Sequence, residues 1–304
     1  WIYNIDAGGK KSCIIIIMKP LLKSLMVIIA LSAIFLIKAQ VTAAETYVFQ
    51  VSEKKVISYE KMLSDLKKGP RLIFVGEAHG REIHHSQQFN IIKALNDSKI
   101  PLAVGLEMFT TKNQGKLDLW TKGGIPVDAF IKAYYKGWNV PWFYYSNIFL
   151  YMRDNKIPAI GLNPPSEILQ KVGKAGFSSL TLKELGELPS GIVCKVDEKY
   201  MTFIKKAYLS HQYTNMDFIH FCEAQLLKDK SMALLLSKFI KKNPDRTVVV
   251  LVGTTHAWKK GVPEQIRSLS KELSYRVILP QIPGSIEPSS ITAEDADYIL
   301  LSNK

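Results

Sequence analysis

The sequence predicts an α/β fold, with a mostly parallel central sheet flanked by helices and a helical insertion or small lobe. Two observations predict the sheet. Five short runs, Arg71–Val75, Pro101–Leu106, Ile157–Leu162, Thr247–Val252 and Tyr275–Leu279, are apolar throughout and rich in β-branched residues instead of alternating. That is the pattern of strands buried on both faces. Helical periodicity fills the gaps between them, the order expected when crossover helices join parallel strands. A third observation predicts the lobe: residues 164–215 carry no clear sheet pattern and read as inserted helix.

The elements follow in order. Ser58 can cap a helix through Lys67, which Gly69-Pro70 stops. Further helices are expected at Arg81–Asp97, Lys112–Thr121, Val127–Tyr135 and Phe143–Asn155, and a long one at Met216–Lys241 that ends before Asn243-Pro244. No repeat or low-complexity linker interrupts residues 45–304, which read as a single domain.

Residues 18–44 read as a signal peptide. Lys19 and Lys23 precede an apolar run from Ser24 to Ile37, and small residues, Val41-Thr42-Ala43-Ala44, follow. Residues 1–17 fit no element and read as non-native upstream sequence, with Met18 as the start. No lipid-acceptor Cys follows the apolar run. Cys194 and Cys222 have two readings, a disulfide in an oxidising compartment or, as the wide spacing favours, separate buried thiols. The formal charge of +13 falls to +9 without residues 1–44, which hold five Lys and one Asp. The remaining lysines are scattered, with no basic run interleaved with aromatics, so nucleic acid is not an expected partner.

Four strands stop at polar residues: Gly76-Glu77-Ala78-His79, Glu107-Met108, Asn163-Pro164 and Gly253-Thr254-Thr255-His256. In an open parallel sheet, ligands bind beyond the carboxyl ends of the strands. Glu77, His79, Glu107 and His256 should therefore converge. Such a set could serve as a hydrolase site, with His79 and His256 on a divalent metal or orienting a water. His84 and His85 begin an apolar helix face beside the first strand end and fit a pocket wall or satisfied core positions. His220 with Glu223 resembles half of a metal site, and His211 reads as surface. Tyr134 to Tyr145 forms a Pro- and Gly-interrupted aromatic segment, suited to a flat, apolar, partly anionic ligand. A phenolate can hold haem iron.

Together these segments resemble a family. Gly76–His79, His84-His85, Gly105-Leu106-Glu107-Met108-Phe109, Trp138…Trp142…Tyr145, Ile160-Gly161-Leu162-Asn163, Ser231-Met232-Ala233 and the second Gly-x-x-His, Gly253–His256, are similar to those of ChaN-like haem-binding uptake proteins. These belong to the Tiki/TraB/erythromycin-esterase superfamily. The resemblance spans roughly residues 56–300. It implies an exported protein, periplasmic or outer-membrane-associated, that binds haem for iron uptake, forms a homodimer and works with a membrane-associated uptake partner. Haem iron in that family is held by a Tyr, a position that Tyr145 matches, with Tyr144 next to it. Trp142, His84 and His85 would then line the haem pocket. Family lipoproteins carry an acceptor Cys that this chain lacks. Lys230 stands where an acid is usual before Met232-Ala233. Tiki-type members are similar to metalloproteases built on the same two Gly-x-x-His segments, onto which Glu77, His79, Glu107 and His256 map.

Overall fold

The structure is a computed structural model that describes residues 3–5, 11–13, 46–210 and 216–302. It forms two units, Trp1–Glu45 and Thr46–Lys304. In the first, β1 (Tyr3–Ile5) and β2 (Lys11–Cys13) pair antiparallel, so residues 1–17, expected to fit no element, do hold a small ribbon. The expected signal segment, residues 18–44, and His211 lie outside the described residues.

The second unit opens with a hairpin, β3 (Tyr47–Gln50) and β4 (Lys55–Ser58). Ser58 caps α1 (Tyr59–Leu66) by accepting from the Lys61 N–H. There follow β5 (Leu72–Glu77), α2 (Glu82–Asp97), β6 (Leu102–Thr110), α3 (Gln114–Thr121), α4 (Val127–Tyr134), α5 (Ser146–Asp154) and β7 (Ala159–Asn163). Three helices, α6 (Ser166–Ala175), α7 (Leu182–Gly186) and α8 (Glu198–Ser210), make up the expected helical insertion. The chain then runs through α9 (Phe218–Lys242), β8 (Thr247–Gly253), α10 (Thr254–Ala257), α11 (Val262–Leu269), β9 (Tyr275–Pro280) and β10 (Tyr298–Leu300).

The eight-stranded sheet has the order β4-β3-β10-β9-β5-β8-β6-β7. From β10 to β7 all neighbours are parallel, and at the other edge β3 pairs antiparallel with both β10 and β4. From β5 the chain moves to β6 on one side, and from β8 it returns across β5 to β9 on the other. The β5–β8 pair is therefore a topological switch point, where the strand ends open into a crevice.

Two cores cover the sheet. Ile73, Val75, Val249 and Leu251 pack with Ile91, Ile92 and Leu95 of α2 and with the aromatic residues of α3–α5. On the other face, Leu72, Phe74, Val248 and Val250 pack with Met232, Leu236 and Ile240 of α9 and with Val262 and Ile266 of α11. Strand residues alternate between the two cores, which is why the strands read as unbroken apolar runs. The inserted helices bury smaller clusters of their own against α9, one of them around Ile168 and Leu227 and the other around Tyr200 and Cys222.

One glycine sets the spacing of the β6–β7 pair. A Cβ on Gly161 would stand 2.8 Å from the Thr110 carbonyl oxygen and 3.2 Å from that of Phe109, next to the irregularity between Leu106 and Thr110. Backbone cannot swing aside as a side chain can. Gly161→Ala is therefore expected to cost about 1–3 kcal/mol in urea unfolding. A neutral result would show that the edge strand yields freely.

Candidate functional site

The β5 and β8 ends are level, with Glu77 in register with Gly253. Beyond them lies a cleft of about 580 Å³, lined by Glu77, His79, Glu107 and His256. The four expected acid–base residues do converge. Trp138 and Val140 of the aromatic segment form one wall, and Phe221 and Lys228 of α9 another. Gly253 permits this approach, because a Cβ there would lie 3.0 Å from the His79 ring.

Glu77 is only 2% exposed. His79 Nδ1 donates to its Oε1 at 2.7 Å, and Gln88 Nε2 donates to its Oε2 at 2.8 Å. The Tyr145 hydroxyl also donates to Oε1. His85 Nδ1 stands 3.4 Å from Oε2, while its Nε2 donates to the His79 carbonyl at 2.8 Å. Burial works to raise the Glu77 carboxyl, but the hydrogen bonds and charges of His79 and His85 outweigh it and hold the carboxyl at about 2. Burial likewise works against charge on both imidazoles, and the Glu77 carboxylate overcomes it and raises them. His84 is different. Burial, with His85 beside it, pushes its ring down to about 4, and its Nδ1 accepts the Ala78 N–H at 3.0 Å.

Glu107 centres a second network. Its Oε1 meets Lys228 Nζ at 2.5 Å, and its Oε2 accepts the Gly253 N–H at 2.7 Å. Burial opposes the charge of Glu107, yet Lys228, His256 and His79 hold its carboxyl well below the usual carboxylate range. His256 Nε2 lies 3.6 Å from the same Oε1, and its Nδ1 donates to Asp229 Oδ1 at 2.6 Å. The buried Tyr200 hydroxyl donates to Asp229 Oδ2 at 2.6 Å, and burial followed by the Asp229 charge keeps that phenol protonated. Tyr200→Phe should cost about 1.5–3 kcal/mol, the range for a hydrogen bond to a charged group. Thermal unfolding checks this, and an unchanged Tm would show that Asp229 needs no phenol.

The structure places the other expected site residues as follows. Tyr145, expected on haem iron, is 0% exposed and donates to Glu77. Burial and the adjacent carboxylate hold its phenol far above the ordinary value. Trp142 stacks on Phe149 at 5.2 Å and packs against Phe130 and Tyr134, so it serves the aromatic core. His84 and His85 are buried behind the β5 end. Asn163 is buried at the end of β7 and does not line the cleft. Glu223 accepts the Phe177 N–H at 2.9 Å, closing a turn instead of serving a metal with His220. Among the described residues, no group of three or more His, Cys, Asp or Glu is placed to hold a metal ion. The Lys228 ammonium already supplies the positive charge beside Glu107. Cys194 and Cys222 are not joined to each other; Cys222 is buried and Cys194 half-buried.

Lys228, Asp229, Tyr200 and Gln88 were not expected at the site. Asp229 had a signal in the sequence. It falls on the apolar stripe of α9 that runs through Cys222, Leu226, Met232, Ala233 and Leu236, where a charge is buried and so needs partners.

Residues 62–266 match the family described as haem-binding uptake, Tiki superfamily, ChaN. The chain belongs to this family. The structure reported as cofacial heme binding to ChaN of Campylobacter jejuni is similar over 86% of this chain and 98% of that one, with 23% identity and a TM-score of 0.68, a likeness of fold. An erythromycin esterase mutant, EreC, in its open conformation aligns over 79% of this chain and 81% of its own at 15% identity and a TM-score of 0.48. No curated protein sequence matches. No helix among the described residues is long and apolar enough to cross a membrane. In this ChaN-family chain, the ordered residues of the cleft are tied to one another by carboxylate bonds, while the aromatic segment above them keeps exposed rings.

Proposed function

We propose that this protein binds haem for uptake at the aromatic segment between α4 and α5. The observation that supports this reading is the exposure of that segment. Phe143 is 59% exposed and Tyr135 48%, and Tyr144 is half-buried with its ring 4.2 Å from Phe143. Flat apolar rings left in water fit a porphyrin face, and soluble proteins leave few such clusters bare. Of the adjacent tyrosines, Tyr145 is committed to Glu77, so the phenolate ligand in this reading is Tyr144. The Tyr135 oxygen already accepts the Trp142 N–H at 2.9 Å. Haem would supply iron for uptake, and the chain's own part is to hold and shield it, with a second copy covering the other porphyrin face. Residues 18–44 would direct export.

Titration of the full chain with haemin, followed at the Soret band, tests this. Saturable binding is expected, lost in Tyr144→Phe and retained in Tyr145→Phe. Sedimentation with and without haemin tests dimerisation, and a species that stays monomeric when loaded would sink the homodimer.

One observation favours a second reading. His79 and His256 each hold Nδ1 against a buried carboxylate, Glu77 and Asp229, and both rings line the same cleft. This arrangement fixes the tautomer and leaves Nε2 to take a proton from water. In that reading the cleft hydrolyses a small ester or amide with Lys228 as its cation. A panel of ester and peptide substrates tests it, and no turnover, or turnover equal in His79→Ala, would reject it.

A further inference from the structure

A second cavity, of about 230 Å³, lies away from the cleft, between the segment leading into α8, the middle of α9 and the start of α11. Its lining is rich in ammonium groups. Lys195, Lys199, Lys230 and Lys260 face it, against Asp197 and Glu264. Most of these charges can be followed to their partners. Glu264 is spent on Arg267 at 2.7 Å, and Lys260 pairs with Asp295 at 2.9 Å. Asp197 accepts the Tyr200 N–H at 2.8 Å. Lys230 donates to the Val193 carbonyl at 2.6 Å, a neutral acceptor that leaves its charge uncompensated. Lys195 and Lys199 make no ion pair among the described residues. The cavity therefore holds more positive charge than its own acids neutralise, and Gln265 and Ser268 add neutral donors. Lysine ammonium groups bind anions as point charges, a fit to the compact oxygens of phosphate.

The wall of this cavity is also one end of a buried chain. Tyr200 lines it and bonds to Asp229, which bonds to His256, which lines the front cleft. Asp229 is fully buried, and each of its oxygens carries one of these two bonds at 2.6 Å. A shift of α8 at Tyr200 must therefore alter the acceptor that orients His256.

We propose that this cavity is a second ligand site, for a small phosphate-type oxyanion, whose occupancy is transmitted to the front cleft through Tyr200, Asp229 and His256. The site stands independently of haem binding, because none of its residues belongs to the aromatic segment.

Calorimetric titration of the full chain with pyrophosphate, inorganic phosphate and sulfate tests the site. Saturable binding is expected, tightest for pyrophosphate and about tenfold weaker in the Lys195→Ala/Lys199→Ala double variant, a change of about 1.4 kcal/mol. The transmission is read from imidazole nitrogen shifts, with His256→Asn used to assign the His256 signal. Pyrophosphate should move that signal in the wild type. In Tyr200→Phe the movement should vanish while binding persists. Absence of saturable heat, undiminished binding in the double variant, or equal response to all three anions would overturn the site. A His256 signal that stays still, or moves equally in Tyr200→Phe, would overturn the transmission.

Discussion

Glu107→Ala is expected to lower the unfolding free energy by about 3–5 kcal/mol, the range for removing one partner of a buried ion pair. Glu107 is 1% exposed and has no solvent to share its partners with. Its loss strands the Lys228 ammonium, formerly 2.5 Å away, and leaves the Gly253 N–H without its acceptor. His256 loses its neighbour at 3.6 Å as well. Lys228 keeps 16% of its side chain exposed, so part of its charge can turn to water, which favours the lower end of the range. Glu107→Gln should cost less, because an amide oxygen can still accept the Gly253 N–H. The pair Glu107→Leu with Lys228→Met should recover stability relative to Glu107→Ala, since it leaves no unpaired charge. Urea unfolding measures all three. If Glu107→Ala costs less than about 1 kcal/mol, the cleft is wetter than its burial indicates.

The second large effect is the dependence of stability on pH. The Glu77 carboxyl is held at about 2 against an ordinary 4.5. A depressed carboxyl contributes its full stability above the ordinary value and loses it as pH falls toward the folded one. For Glu77 that contribution is on the order of 3 kcal/mol. Glu107 shifts in the same direction and steepens the acid limb. His84 adds to it, because its ring is held down at about 4 against 6.5 and its stabilisation fades as pH falls between the two. His79 and His85 act oppositely. Their raised values stabilise the fold fully below 6.5, and this is lost as pH rises through the elevated folded values. Stability should therefore peak near pH 6.5 and fall on both sides. Glu77→Gln should flatten both limbs at once, because Glu77 and its histidines titrate as one unit. Urea midpoints taken across the acid and neutral range measure this, and parallel curves for wild type and Glu77→Gln would contradict it.

The legibility of the fold varied with how much of its instruction is local. Buried parallel strands announce themselves, because both faces of each are apolar; Thr247–Gly253 reads as a strand from Val248-Val249-Val250-Leu251-Val252 alone. The hairpin β3–β4 and the three-residue β10 do not, being short and stabilised by pairing with distant partners such as Leu300 with Val48. The inserted helices read only as a lobe, since their apolar faces pack in small clusters against α9.

By itself the sequence determined that Glu77, His79 and His256 lie at or just past the ends of parallel strands, and that these ends share one edge of the sheet. Glu107, expected just past a strand ending at Leu106, instead lies inside β6, which runs on to Thr110 through an irregular register. Strand direction follows from connection type, so Glu77, His79, Glu107 and His256 were bound to converge. Only the tertiary structure decided what each one holds. Tyr145 looks like an open ligand in the chain and is a buried donor to Glu77 in the fold. Asp229 and Lys228 sit more than a hundred residues from Glu77 and Glu107 in sequence, yet from α9 Lys228 reaches the cleft beside Glu107 and the buried Asp229 holds His256 from behind it. Hydrogen bonds and ion pairs act over a few ångströms, whatever the distance along the chain. Their partners are therefore chosen by packing, which no local pattern records.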